Sequence, residues 1–274
     1  MKNLSQNAAG KGTLNVANIT PPSPISRPEK DMNMAEPNEN IGNRISEAVA
    51  HYWQTRKTQR DKQKKRGVSD AGLRSAVTGG AQMDGFIRLF TRIIIDAGMD
   101  ERYVFGKRLL ELPGFFRPTK EWDLVVVKNG HLIAAIEAKS QVGPSFGNNF
   151  NNRTEEAMGS ALDLWTAFRE GAFNGGIQPF LGYFFMLEDC DASIRPVRVK
   201  EPHFNVFSEF VGASYMKRYE LFCRKLVLER HYTAASFVTS DSEKGLKGIY
   251  SEPANDLSFA IFLKSLVAHV GAFV

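Results

Sequence analysis

"WDLVVVKNGHLIAAIEAK", Trp122 to Lys139, decides how this chain folds. Two apolar runs flank Asn129-Gly130, a pair that readily adopts the positive φ angles of a tight hairpin turn. Both runs are aliphatic and read as buried strands. The first is preceded by an acid, Asp123, and the second closes on two charges, Glu137 and Lys139. Residues two apart on a strand project from one face, so Glu137 and Lys139 share a side. A strict two-residue loop pairs Asp123 with Ile136 and leaves Glu137 on the other face. A three-residue loop, Asn129 to His131, or a bulge pairs Asp123 with Glu137 and gathers all three groups. We expect the second arrangement, because the first points charges both ways from a buried sheet.

Two carboxylates on adjacent strands form a hard-oxygen site suited to Mg²⁺, with backbone carbonyls and waters completing the shell. Against a phosphodiester, such a metal polarises a phosphoryl oxygen and lowers the pKa of a bound water. Lys139 can hold or help deprotonate that water and offset the developing negative charge. On spacing alone, a cross-strand salt bridge between Lys139 and either acid fits as well. Charges at the buried end of aliphatic strands are costly unless paired or bound to an ion, which favours a site.

Outward from the hairpin, a polar loop follows Lys139, and a helix is expected to begin near Asn152 to Thr154. These are good N-cap types, with Glu155 and Glu156 in the first turn. Ala157, Ala161, Leu164, Trp165 and Phe168 then line one face. "PFLGYFFMLED" reads as a buried strand, Val206 to Arg230 as a helix, "AASFVTS" as a strand and "DLSFAIFLKSLVAHVG" as a terminal helix. Upstream, Met83, Phe86, Ile87, Phe90 and Ile94 mark a helix stopped by Gly98. An earlier helical stripe, Ile41, Ile45, Val49 and Trp53, continues into the basic run Arg56 to Arg66. That run is either a solvated helix end or a surface that follows phosphates. From the Met83 helix the order is helix, hairpin, helix, strand, helix, strand, helix. It implies one mixed α/β domain over residues 41–274, after a mobile, proline-rich tail over residues 1–40.

Bulk properties agree. A chain of 274 residues, 43% hydrophobic, can bury a sizeable core, and its net charge of +5 suits an anionic partner. Cys190 and Cys223 match no metal-ligand spacing and read as free thiols of a reducing compartment. Neither a secretory signal nor a stretch of about 20 apolar residues is apparent, so a soluble, cytoplasmic protein is expected. The five histidines show no metal spacing, and "FNGGIQPFLG" lacks the Lys-Ser/Thr of a phosphate loop.

Asp123, a short gap and then "EAK" ending a strand resemble the signature of the PD-(D/E)xK nuclease superfamily, with Trp122 standing where its proline does. "EWDLVVVKNGHLIAAIEAKSQVGPSFGNNFNNRTEEAMGSALDLWTAFREGAF", about a fifth of the chain, is similar to the XhoI family of type II restriction endonucleases. The resemblance implies a restriction-endonuclease-like αβββαβ core flanked by helices and Mg²⁺-dependent cleavage of both strands of DNA. It puts the metal on Asp123 and Glu137 and the catalytic amine on Lys139. It also implies a homodimer on a palindrome, CTCGAG or a longer variant, leaving 5′ overhangs in a bacterial cytoplasm, with a methyltransferase protecting the same site. A further acid often sits on a preceding helix in this superfamily, and Asp84 and Glu111 are candidates. In the loop after Lys139, Gln141, Asn148, Asn149, Asn151 and Asn152 suit adenine edges, and Arg153 suits guanine or a phosphate. A repair nuclease on the same core, or a DNA-binding module whose acids only form salt bridges, are the rival readings.

Overall fold

The computed structural model describes residues 37–65, 81–174 and 176–274, without the side chains of 37–40 and 63–65. The expected tail falls outside them up to residue 36. In chain order the elements are α1 (Pro37–Lys65), α2 (Asp84–Asp96), β1 (Val104–Phe105), β2 (Glu111–Pro113), β3 (Thr119–Glu121), β4 (Leu124–Lys128) and β5 (His131–Gln141). There follow α3 (Phe146–Arg169), β6 (Phe180–Glu188), the single turn α4 (Asp191–Ile194), α5 (Tyr215–Leu228), β7 (Ala234–Ser240) and α6 (Phe259–Gly271).

Five strands form one mixed sheet in the order β1-β4-β5-β6-β7. The β1–β4 and β4–β5 pairs are antiparallel, and the β5–β6 and β6–β7 pairs are parallel. From α2 through β6 this is the αβββαβ order, with β7 extending the sheet. The short hairpin β2–β3 stands apart from it. Strand β6 is buried along nearly its whole length and β7 along all of it, as parallel strands covered on both faces require.

The hairpin turns on Asn129 and Gly130, both with positive φ (54° and 79°), so the loop has two residues. Lys128 pairs with His131 and Val127 with Leu132, but Val126 pairs with Ala134. Ile133 is therefore an extra residue on β5. This bulge shifts the register by one, so Leu124 faces Ile136 and the next pair along is Asp123 with Glu137. The expected gathering is achieved by a bulge after a two-residue turn. The Ile133 carbonyl accepts a hydrogen bond from His269 Nε2 of α6 at 3.1 Å.

Alternation on the strands divides the core. Leu124, Val126, Ile136 and Ala138 face α1, α2 and α6, where Phe86, Phe90, Phe184, Phe259 and Phe262 pack. Val125, Ala135, Tyr183, Phe185 and Phe237 face α3 and α5. Glu137 and Lys139 continue the second set, so the charged end of β5 lies on the α3 side.

Two helix boundaries differ from expectation. Helix α3 begins at Phe146, nearly two turns before Asn152, so the supposed loop is mostly helix and neither Glu155 nor Glu156 lies in its first turn. Phe146 stacks on Tyr215 at 5.7 Å and Phe150 meets Tyr219 edge-on at 5.0 Å, both on α5. That packing overrides the poor helix propensity of Gly147 and four asparagines. Helix α5 spans only Tyr215–Leu228, rather than all of Val206 to Arg230. Gly212 takes a left-handed φ of 66° and the Ser214 hydroxyl accepts from Lys217 N, which starts the helix there.

Candidate active site

Strand geometry brings the three charged groups together. Lys139 Nζ lies 2.6 Å from Glu137 Oε1 and 3.0 Å from Asp123 Oδ2. The same Asp123 oxygen accepts from the backbone N–H of Ala138 at 2.8 Å, which pins it across the hairpin. Glu137 is 4% exposed, whereas a third of the Asp123 side chain remains accessible. The acids thus span the boundary between core and solvent.

A fourth group escaped the sequence reading. Lys120 of β3 forms a second ion pair with Glu137, through Oε2, and its ammonium lies 4.2 Å from the centre of the Trp122 ring. Trp122 is buried, so the residue in the superfamily's proline position serves as the floor beneath this lysine. The alternation Lys120-x-Trp122 preceding Asp123 was the available signal, but β3 is too short to stand out by periodicity.

Electrostatics follow from this crowding. Burial opposes the Lys139 ammonium, yet the Glu137 and Asp123 carboxylates hold its pKa above the ordinary lysine value. Burial pulls Lys120 down, with Glu137 opposing it. Burial raises the Glu137 carboxyl, but Lys139 and Lys120 outweigh it and the net shift is downward. Tyr183, the register partner of Glu137 on β6, is buried with a hydroxyl that lacks a hydrogen-bond partner among the described residues. Burial pushes its pKa well up.

Two carboxylates converge on one cationic position, a donor set of the right hardness and charge for a divalent ion. Among the described residues no group of three His, Cys, Asp or Glu side chains offers a fuller cage. Such a site suits an ion that keeps several waters. Neither candidate for a further acid joins it. Asp84 opens α2, in the layer against the opposite face of the sheet. Glu111 pairs with Glu121, whereas Leu112 pairs with Lys120, so Glu111 projects from the face of the small hairpin away from Lys120.

The residues expected to read bases are redistributed. Gln141 is buried at the end of β5, where its Oε1 accepts from the Tyr219 hydroxyl, so it is not offered to DNA. Asn148, Asn151 and Asn152 are exposed and share one face of α3, at helical spacing. Asn149 is half-buried, and Arg153 pairs with Glu156 at 2.5 Å. The turn between β2 and β3 is held over the same helix by Asp163, which accepts from Phe115 N (2.6 Å), Phe116 N (2.7 Å) and Arg117 Nε (2.6 Å). A Cβ on Gly114 would overlap that carboxylate, which is why glycine stands there.

No helix among the described residues is long and apolar enough to cross a membrane. The family described as restriction endonuclease XhoI matches residues 62–252. The chain is 56% identical over 206 residues to the type II restriction enzyme BstVI of Geobacillus stearothermophilus, covering 73% of this chain and 92% of that one. It is 49% identical over 183 residues to the type II restriction enzyme XhoI of Xanthomonas vasicola, covering 66% and 73% of the two chains. It is 50% identical over 159 residues to the type II restriction enzyme AbrI of Azospirillum brasilense, covering 58% and 71%. No solved structure matches. With this sheet, this charged hairpin end and these relatives, the chain belongs to the XhoI family of type II restriction endonucleases, enzymes that hydrolyse DNA at specific sites.

Proposed function

We propose that this enzyme requires Mg²⁺ and cleaves both strands of a palindrome, CTCGAG or a longer variant containing it, leaving 5′ overhangs. The observation that carries the reading is Lys139 bridging Asp123 and Glu137 at the end of a strand buried on both faces. Asp123 and Glu137 would hold the metal, which when bound supplies Lewis acidity to the scissile phosphate and a more acidic water. Asp123 is fixed by Ala138 N and Glu137 is held from two sides by lysines; Lys139 Nζ lies between their converging oxygens and would have to shift aside for a metal to be held there. The Lys139 ammonium orients the attacking water and stabilises charge growing on the phosphoryl oxygens. Lys120, over the Trp122 floor, holds Glu137 through the carboxylate oxygen that Lys139 does not take.

Recognition belongs on this reading to the first turns of α3, which start after four intervening residues beyond β5. Asn148, Asn151 and Asn152 offer amide groups to base edges, with Asn149 and Arg153 beside them. One such site is present among the described residues, and cutting two strands of a palindrome suits two chains related by a twofold axis. Such an enzyme works in the bacterial cytoplasm beside a DNA methyltransferase that protects the same sequence. The test is digestion of a plasmid carrying a single CTCGAG. A single linear species whose ends religate, formed in Mg²⁺ and not in EDTA, is expected. A smear would assign the core to unspecific or repair cleavage, and intact plasmid would remove the assignment of this hexamer.

A further inference from the structure

We propose that the C-terminal part of α1 is a phosphate-contacting arm that grips duplex DNA outside the recognition sequence. This rests on the DNA-cleaving reading above and adds a second contact surface to it. Two buried aromatic residues moor α1 to the sheet end that carries the charged trio. The Tyr52 hydroxyl lies 3.1 Å from Ser140 Oγ, the residue after Lys139, and Trp53 Nε1 donates to Ser240 Oγ at 2.9 Å, at the end of β7. Strands β5, β6 and β7 run in one direction, so both moorings mark the same edge of the sheet. Gly245, just past β7, packs so closely on Trp53 that a Cβ there would overlap the indole.

Beyond Trp53 the helix leaves the core. Arg56 is buried against the body, but Lys57, Arg60 and Lys62 are exposed. Nine residues carry the axis roughly 13 Å past the mooring by Lys62. Asp61 is the only acid between residues 56 and 65, against six basic residues. A helix kept only for stability would end where its apolar stripe ends. This one continues as a cationic rod from the same end of the sheet as Lys139, on the face opposite the charged trio. Spaced cations of this kind match a duplex backbone and read no bases.

The experiment compares wild-type protein with the triple variant Lys57→Ala, Arg60→Ala, Lys62→Ala in EDTA. Fluorescence anisotropy follows binding to a CTCGAG duplex and a scrambled one, from about 50 to about 200 mM salt. At about 0.9 per phosphate, losing three contacts should make the log–log salt slope shallower by about 2.7. Wild type then loses about 40-fold more affinity than the variant across that range, equally on both duplexes. The charge-preserving Lys57→Arg, Arg60→Lys, Lys62→Arg protein should keep the wild-type slope. Coincident salt lines for wild type and the alanine variant overturn the proposal. So does a loss confined to the CTCGAG duplex, which would make α1 a base reader. If wild type itself neither binds nor cuts duplex DNA, the nuclease reading fails; if wild type cuts and the lines coincide, only the arm is removed.

Discussion

The β4–β5 hairpin and the start of α3 adjoin each other, yet their sequences speak with different clarity. The hairpin is specified by backbone chemistry: Asn129-Gly130 accepts positive φ, and the alternation around it has one core-compatible register once Ile133 bulges. The start of α3 is specified from outside. Gly147 and the asparagines disfavour helix locally, and Phe146 and Phe150 impose it by packing on Tyr215 and Tyr219. The region proposed to do the chemistry is held by its own strands, and the region proposed to read bases is held by a neighbouring helix. Changes in the first should abolish cutting with the fold intact, whereas changes behind the second should loosen recognition.

The largest effect is expected at the hairpin. Asp123→Ala or Lys139→Ala should slow single-turnover cleavage roughly 1,000-fold or more, with the thermal transition still cooperative. A merely structural trio would instead lower Tm and spare the rate of the protein that remains folded. Next, Phe150→Ala should destabilise the protein by about 2–3 kcal/mol, less than a fully buried Phe, because the ring is only half-buried. It should also narrow the ratio of cleavage at CTCGAG to cleavage at one-base variants. An unchanged ratio would detach α3's start from recognition.

Legibility followed the same division. The apolar pattern identified strands β4 to β7 and the buried faces of α2, α3 and α6, because each buries a regular stripe. It missed β1, two residues long, and the β2–β3 hairpin that delivers Lys120 to Glu137. Strands that short carry no periodicity. Gln141 shows the remaining limit: the strand continues two residues past Lys139, and the buried amide oxygen is taken by Tyr219, which only the packing of α5 determines. Asp84 and Glu111 were plausible by type and position, but one lies across the sheet and the other faces outward.

Smaller effects sharpen the contrast. Asn151→Ala or Asn152→Ala should lose about 1–3 kcal/mol of discrimination if either makes a bidentate base contact. Cleavage profiles across single-base variants check this, and an unchanged profile removes that residue. Behind the bulge, His269→Ala should cost about 1 kcal/mol by leaving the Ile133 carbonyl without its donor, measured by urea unfolding. Burial holds the His269 pKa below its ordinary 6.5. The unfolded chain therefore takes up the proton first. The stability that rests on the ring staying neutral is complete above the ordinary value and is lost as pH falls from 6.5 towards the lowered one, because the buried ring must then carry a charge. The alanine variant should lack that acid-side slope.

The central claim is that the bulge-made pairing of Asp123 with Glu137 builds a metal site for hydrolysis. The most direct measurement is single-turnover cleavage of a CTCGAG duplex by Glu137→Ala protein across a Mg²⁺ titration, with its fold verified by circular dichroism. No cutting at any Mg²⁺ concentration is predicted. A Mg²⁺-dependent rate equal to that of wild type would contradict the claim.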